Sequence, residues 1–328
     1  MNRKIYFLEN FYGIQYFLSI YDRSDDNIIV TSGDPVLSKF LKIIDPDAEI
    51  HIIPRIPSYS CCLLPFLLVA WRFKYRKYFL QINPGTEIIY FNKGFSIQNF
   101  LMHRYLEKKS CKFIFIEVAT CKFYEELIVD ESIIRKSYLS LLSLCTGVEI
   151  ARYKARLWPF HYGLVKYPEA KTICLQTWEH LENKFKLDIQ KTDFNSILII
   201  DGPITAIPGI DLEKTRQNLT NYFSGNGFDG IELHLKPHMY EGRHSFENTS
   251  LISKIIILPN YIPAEFFINK YKKACFFSSA ACCTDGKIKL ISLSGLLVFN
   301  DKTKEDNYWN LYKDYFHDKH IELAGLSK

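Results

Sequence analysis

The sequence predicts an α/β protein of two consecutive domains, each a parallel sheet covered by helices. Three observations predict it. Short apolar segments rich in Ile, Leu and Phe recur along the chain, each bounded by polar or turn-forming residues, as strands buried on both faces are. Helical stretches separate them. The alternation runs twice, once before residue 130 and again from Ser196, with an irregular, helix-rich stretch between.

The elements follow in order. Lys4 to Leu8 is the first strand, and Phe11 to Tyr21 a helix. Asn27 to Thr31 is β-branched and flanked by polar clusters, the signature of a buried strand. A helix begins at Asp34 or Ser38 and runs through Ile44; strands follow at Glu49 to Ile53 and Glu87 to Phe91. Ser96 caps a helix from Ile97 to Lys109, and the strand Lys112 to Ile116 runs directly into Glu117. From Asp130 to Asp193 the pattern turns helical and irregular, with an aromatic and basic segment at Tyr153, Lys154, Arg156, Trp158, His161 and Tyr162. The second alternation opens with Ile197 to Ile200, ending at Asp201-Gly202-Pro203. A helix from Leu212 to Phe223 and a turn-rich connection lead to Ile231-Glu232-Leu233-His234-Leu235-Lys236, which stops at Pro237. Lys254 to Leu258 is a strand, Ala264 to Lys272 a helix with Pro263 in its first turn, and Ala274 to Phe277 a strand opening onto Ser278-Ser279-Ala280. Leu290 to Phe299 includes a further strand, and Asp306 to His317 is a terminal helix. The expected division is a first domain over 1–155, a helical crossing over 156–194, a second domain over 195–300 and a C-terminal helix over 301–328.

Composition narrows the function. With 328 residues, 48% of them hydrophobic and 15% aromatic, the chain can bury two cores. A net charge of +5 with no basic arm, zinc-finger spacing or aromatic RNA-binding motif argues against a nucleic-acid partner. Nine cysteines, an odd number set mostly in apolar runs, read as free thiols of a reducing cytoplasm. The N-terminus lacks the layout of a signal peptide, so the expected location is cytoplasmic. The strongest apolar run, Cys61 to Trp71, falls short of the roughly 20 residues that span a bilayer. Arg72, Lys74, Arg76 and Lys77 follow, interleaved with Phe73, Tyr75 and Tyr78. This reads as a buried helix with a basic end; the second reading is a peripheral contact with the inner membrane.

Polar residues stand directly after strands at Glu117, Asp201, Lys236 with His238, and Ser278 with Ser279. In open α/β sheets, ligands bind beyond the carboxyl ends of the strands. Paired serines there suit a phosphate, although an ordinary helix cap has the same appearance. A histidine beside that phosphate can donate a hydrogen bond or a proton to a leaving oxygen, and a carboxylate from the other domain can take a proton from an attacking hydroxyl. The arrangement requires no metal. His234 shares a strand face with Lys236 by parity, either behind the site or as a core histidine. Arg243 and His244 follow the loop and are further candidates for an anionic ligand.

Four segments carry a resemblance. Phe113-Ile114-Phe115-Ile116-Glu117 with Tyr124, Lys236-Pro237-His238-Met239, Ile262-Pro263-Ala264-Glu265 and Phe277-Ser278-Ser279-Ala280 are similar to motifs of the two-domain bacterial sialyltransferases. That family includes lipooligosaccharide sialyltransferases and capsule polysialyltransferases. The resemblance implies a GT-B fold, two Rossmann-like domains facing a central cleft, with the acceptor side in 1–155 and the CMP-sugar donor side in 195–300. It implies an inverting, metal-independent glycosyltransferase that needs no cofactor. The enzyme would move sialic acid or a related nonulosonic acid from a CMP-sugar to a glycan hydroxyl in surface polysaccharide or lipooligosaccharide synthesis. Under it Glu117 is the base, with Asp201 its rival, and His238 serves the CMP phosphate. Ser278 and Ser279 hold phosphate oxygens, Glu265 meets the ribose, and Lys236 and Pro237 lie near the nucleotide. Two positions depart from the family pattern: Val118-Ala119 follows Glu117 in place of an acid and glycine, and Met239 stands where proline is usual. The alternatives are a transferase for CMP-Kdo or another nucleotide sugar, and a catalytically impaired nucleotide- or glycan-binding protein on the same scaffold. The acceptor, the linkage and the oligomeric state are not encoded in any motif.

Overall fold

The structure is a computed structural model that describes residues 3–23, 27–31, 33, 35–53, 66–67, 69–70, 73, 79, 82–91, 102–103, 105–116, 118, 129, 132–146, 149–153, 161–164, 171–189, 196–225, 228, 230–239, 244–277, 288–317 and 321–325. It forms two compact units, Met1–Leu181 and Glu182–Lys328.

In the first unit, β1 (Lys4–Leu8), β2 (Asn27–Thr31), β3 (Glu49–Ile52), β4 (Glu87–Tyr90) and β5 (Lys112–Phe115) form one parallel sheet in the order β3-β2-β1-β4-β5. β2 is buried along its whole length, which explains its apolar, β-branched centre Ile28-Ile29-Val30. Helix α1 (Ile14–Ile20) follows β1, and α2 (Pro35–Ile44) follows β2. Proline suits the first position of α2, where the backbone N–H would have no partner within the helix. Its buried residues Leu37, Phe40, Leu41 and Ile44 fall at i, i+3, i+4 and i+7, one stripe laid on the sheet. Helix α3 (Ile133–Thr146) buries Leu142 in the core that also holds Ile5, Phe7, Val30, Ile88 and Phe115. β6 (Ile150–Tyr153) and β7 (His161–Leu164) pair antiparallel where the sequence predicts a helical, irregular stretch. Four-residue strands are too short to leave a period that competes with the helical residues around them. Of the apolar run expected to be a buried helix, Cys61 to Trp71, the described residues 66, 67, 69 and 70 are helical, but Phe66, Val69 and Ala70 are exposed; the rest of the run lies outside the described residues.

The unit boundary falls within helix α4 (Trp178–Phe185). In the second unit, β8 (Ser196–Ile200), β9 (Glu232–Lys236), β10 (Ile255–Ile257), β11 (Lys273–Phe276), β12 (Lys289–Ser292) and β13 (Glu322–Leu323) form a parallel sheet in the order β10-β9-β8-β11-β12-β13. The strand order reverses between β8 and β11, the arrangement that binds nucleotides in doubly wound folds. Helix α5 (Leu212–Ser224) starts where the Asp211 carboxylate accepts from the Lys214 N–H at 3.1 Å, and it buries Thr215, Leu219 and Phe223. Of the helix expected over Ala264 to Lys272, only α6 (Glu265–Ile268) forms. Tyr271 turns into the core against His234, and β11 begins two residues later. The expected terminal helix is α7 (Lys302–His317), and the chain beyond it returns as β13.

Strand alternation sorts the side chains of this sheet. Ile197, Ile199, Leu233, Leu235 and Cys275 share one core with Phe223 and Phe246. Leu198, Ile200, His234 and Lys236 therefore lie on the other face, with Ile200 directly beside Lys236 in register. Burial of Cys275 in that core pushes its thiol up to about 12, so it stays protonated and inert.

Candidate functional site on the second sheet

Lys236 is the last residue of β9 and is only 2% exposed. Its strand stops there because Pro237 has no N–H to continue the ladder. The Lys236 ammonium donates to the Pro237 carbonyl at 2.9 Å and the Asn260 carbonyl at 3.1 Å. Burial pulls its pKa down to about 8, against the opposing pull of Glu265 and then of Asp201. The side chain is thus a buried cation at neutral pH, hydrogen-bonded to two backbone carbonyls, with the charges of Glu265 and Asp201 opposing the loss of its proton. Glu265 opens α6 and is half-buried. Burial raises its carboxyl above the ordinary value, while its own backbone N–H and Lys236 pull the other way. His238, two residues past Lys236, is half-buried. Burial first, and Lys236 second, hold it below the usual imidazole range, so the free protein carries it neutral at neutral pH.

Asp201 follows β8 and its backbone N–H extends the ladder to the Lys236 carbonyl at 3.0 Å. Alternation turns its side chain towards the face of Ile199, away from that of Lys236. The buried carboxylate accepts from the Gly202 N–H at 3.0 Å, the Ser245 N–H at 2.9 Å and the Ser245 hydroxyl. Its place is at the root of the turn from His244 to Ser250, whose Phe246 enters the same core. Arg216 on α5 reinforces that turn, donating from Nε to the Ser245 carbonyl at 3.1 Å. His244 beside it keeps a buried Nδ1 with no hydrogen-bond partner; burial lowers its pKa, Glu247 opposes that and Arg216 adds to it.

His234 is a core histidine. Its Nδ1 meets the Tyr271 hydroxyl at 2.7 Å and its Nε2 meets the Glu232 carboxylate at 2.8 Å, so both ring nitrogens are engaged. Glu117, Arg243, Ser278 and Ser279 lie outside the described residues. The residue before the serines, Phe277, is described, and sequence reasoning missed what anchors it. The hydroxyls of Ser292 and Ser294 both donate to the Phe277 carbonyl, at 3.3 and 2.8 Å, and Ser294 shares a further hydrogen bond with Tyr308 at 2.9 Å. A Ser-x-Ser ending a strand, with both hydroxyls on one face, is the signal that was there to find.

A buried ammonium, a neutral imidazole and a carboxylate thus gather at the carboxyl edge of β9, one strand from the reversal. The ammonium can hold an anion, the imidazole can give it a hydrogen bond, and the carboxylate can accept from hydroxyls. Among the described residues no group of three or more His, Cys, Asp or Glu could hold a metal ion.

No protein-family model and no curated protein matches the chain. Among solved structures it is similar to a glycosyltransferase of kitacinnamycin, at 10% identity over 89% of this chain and 81% of that one, with a TM-score of 0.43. It is also similar to an E. coli heptosyltransferase with ADP, at 10% identity over 89% and 87% and a TM-score of 0.37. A UDP-GlcNAc 2-epimerase from Neisseria meningitidis bound to UDP-GlcNAc gives 9% identity over 98% and 94% and a TM-score of 0.45. Likenesses at this level assign no family. The architecture of two doubly wound α/β units, as the sequence predicts, rests on the strand orders themselves.

Proposed function

We propose that the chain is a GT-B type glycosyltransferase whose second sheet takes the nucleotide of an activated sugar, the donor being CMP-sialic acid or a related CMP-nonulosonate. The observation that carries this reading is the buried Lys236 ammonium at the end of β9, with Glu265 and His238 beside it and the strand reversal one strand away. A nucleotide phosphate there meets the field of Lys236. Negative charge arriving on it raises the His238 pKa, so the imidazole donates a hydrogen bond and then a proton as the phosphate leaves. Glu265 accepts from the ribose hydroxyls, and Ser278 and Ser279 close on the phosphate oxygens. In the transfer, an acceptor oxygen bonds to the anomeric carbon from the face opposite CMP. The bond from that carbon to the phosphate oxygen breaks, and CMP leaves with the electron pair. The acceptor's proton goes to Glu117. Asp201, whose carboxylate is committed to Ser245 and Gly202, acts by positioning the turn after the loop.

The test is CMP release from CMP-sialic acid with and without a galactoside acceptor, run beside CMP-Kdo and UDP-GlcNAc as donors. Acceptor-dependent release from a CMP-sugar is the expected result. His238→Ala should lower turnover about a hundredfold, and Glu117→Gln should abolish transfer with CMP affinity kept. Calorimetry showing no CMP binding at millimolar nucleotide would overturn the enzyme reading, and full activity in Glu117→Gln would remove that residue as the base.

A further inference from the structure

We propose that the exposed apolar face carried by Phe66, Val69, Ala70 and Phe73 in the first unit docks on an anionic lipid bilayer. The described residues of this stretch are helical, and the four fall at i, i+3, i+4 and i+7, one face of a helix. That face is turned to water: Phe66 is 74% and Phe73 67% exposed. Two such rings beside an exposed valine and alanine form the kind of patch that marks an interaction surface. Charge decides the partner. Residues 51–100 contain Arg55, Arg72, Lys74, Arg76, Lys77 and Lys93 against the single acid Glu87, an excess equal to the net +5 of the entire chain. Four of the six basic residues, Arg72, Lys74, Arg76 and Lys77, follow Ala70 in the sequence and flank Phe73. An anionic bilayer rewards both features at once, taking the rings into the acyl boundary and the cations among the headgroups. Each cation held near such a surface strengthens binding roughly fivefold. A second exposed apolar face among the described residues, Ile133, Ile134, Leu141 and Leu144 on α3, lacks the second feature. There Arg135 and Lys136 are balanced in sequence by Asp130 and Glu131. The docking surface is thus confined to the 66–73 face, and it stands independently of the proposed activity.

Vesicle sedimentation of the full chain tests it, with phosphatidylglycerol–phosphatidylcholine vesicles against phosphatidylcholine alone. The expected result is binding to the anionic vesicles that weakens as salt is raised. Phe66→Ser with Phe73→Ser should weaken that binding more than tenfold, and Arg76→Glu with Lys77→Glu should do the same. Ile134→Ser with Leu144→Ser should leave it unchanged. Both phenylalanines are exposed, so an unaltered melting curve is expected for their double variant. No binding to anionic vesicles, equal binding to both kinds, or wild-type binding by the phenylalanine variant overturns the proposal. A change in oligomeric state on sedimentation with vesicle binding intact would assign the face instead to a contact between copies of the chain.

Discussion

Replacing Lys236 by methionine should make the protein bind nucleotide poorly and yet fold slightly more tightly at neutral pH. Burial pulls this lysine from the ordinary 10.5 down to about 8. At about 1.4 kcal/mol per pH unit, the protonated side chain costs the folded state about 3 kcal/mol. Its hydrogen bonds to the Pro237 and Asn260 carbonyls return about 1 kcal/mol each. Methionine fills a similar volume without the charge and without those bonds, so at pH 7 Lys236→Met should gain about 1 kcal/mol. The sign reverses in alkali. Between about pH 8 and 10.5 the unfolded chain keeps a proton that the folded chain has released, so wild-type stability rises with pH through this window, whereas the variant lacks that contribution. Near pH 10.5 the wild type should lead by about 2 kcal/mol. Urea unfolding of the pair at pH 7 and at pH 10.5 measures both differences, and calorimetry with CMP measures the loss of binding. A variant less stable by about 2 kcal/mol at pH 7, or a difference that does not move with pH, would refute the reasoning. Lys236 would then be a structural lysine whose hydrogen bonds outweigh its burial.

Two further substitutions separate positioning from chemistry. Asp201→Asn leaves one acceptor oxygen for three donors and turns an amide towards at least one of them; thermal unfolding should register a loss of about 2 kcal/mol. An unchanged melting curve with transfer abolished would make Asp201 the base. Gly295→Ala places a Cβ 2.2 Å from the Ala324 carbonyl oxygen, a backbone atom beside β13 that cannot rotate away. That edge of the sheet should loosen at a cost of about 2 kcal/mol, which urea unfolding would register.

Buried strands declared themselves because burial on both faces demands a run of apolar residues, as at Ile28-Ile29-Val30 in β2 and Ile197-Leu198-Ile199-Ile200 in β8. Two-residue β13 and the four-residue strands of the hairpin leave no such run. The end of α6 depends on Tyr271 reaching His234, a contact between residues 37 apart that no local preference encodes. The site divides the same way. Lys236 and His238 stood out because Pro237 marks where their strand must stop. The Ser245 partner of Asp201 lies 44 residues away, and the Ser292 and Ser294 partners of Phe277 lie 15 and 17 away. The Ser-x-Ser marks two donors, but a single sequence does not name the acceptor of a hydrogen bond across such a separation. Parity along β9 put His234 and Lys236 on one face correctly, but only the pairing of both His234 nitrogens, with Tyr271 and Glu232, shows it to be core.

The two sheets share a device at their reversals and fill it differently. A Cβ on Gly13, after β1, would stand 2.5 Å from the Phe91 Cβ; one on Gly202, after β8, would stand 3.1 Å from the Phe277 Cβ. In each sheet a glycine beyond the first strand lets a phenylalanine beyond the fourth strand pack close. In the first unit the Phe91 ring stacks on Tyr6 and meets Phe17 edge-on, with centroids 6.3 and 5.9 Å away. The neighbouring strand there ends in Thr31, whose hydroxyl is engaged by Ser38 at 3.3 Å. In the second unit Phe277 sinks into the core on one face, the next residues in the chain are two serines, and the neighbouring strand ends in Lys236. One reversal is lined with aromatic rings; at the other the neighbouring strand ends in a buried lysine, and two serines come next in the sequence. This contrast supports the proposed assignment of the anionic donor to the second sheet, and it leaves the first unit, which carries the excess of basic residues, for the proposed bilayer contact.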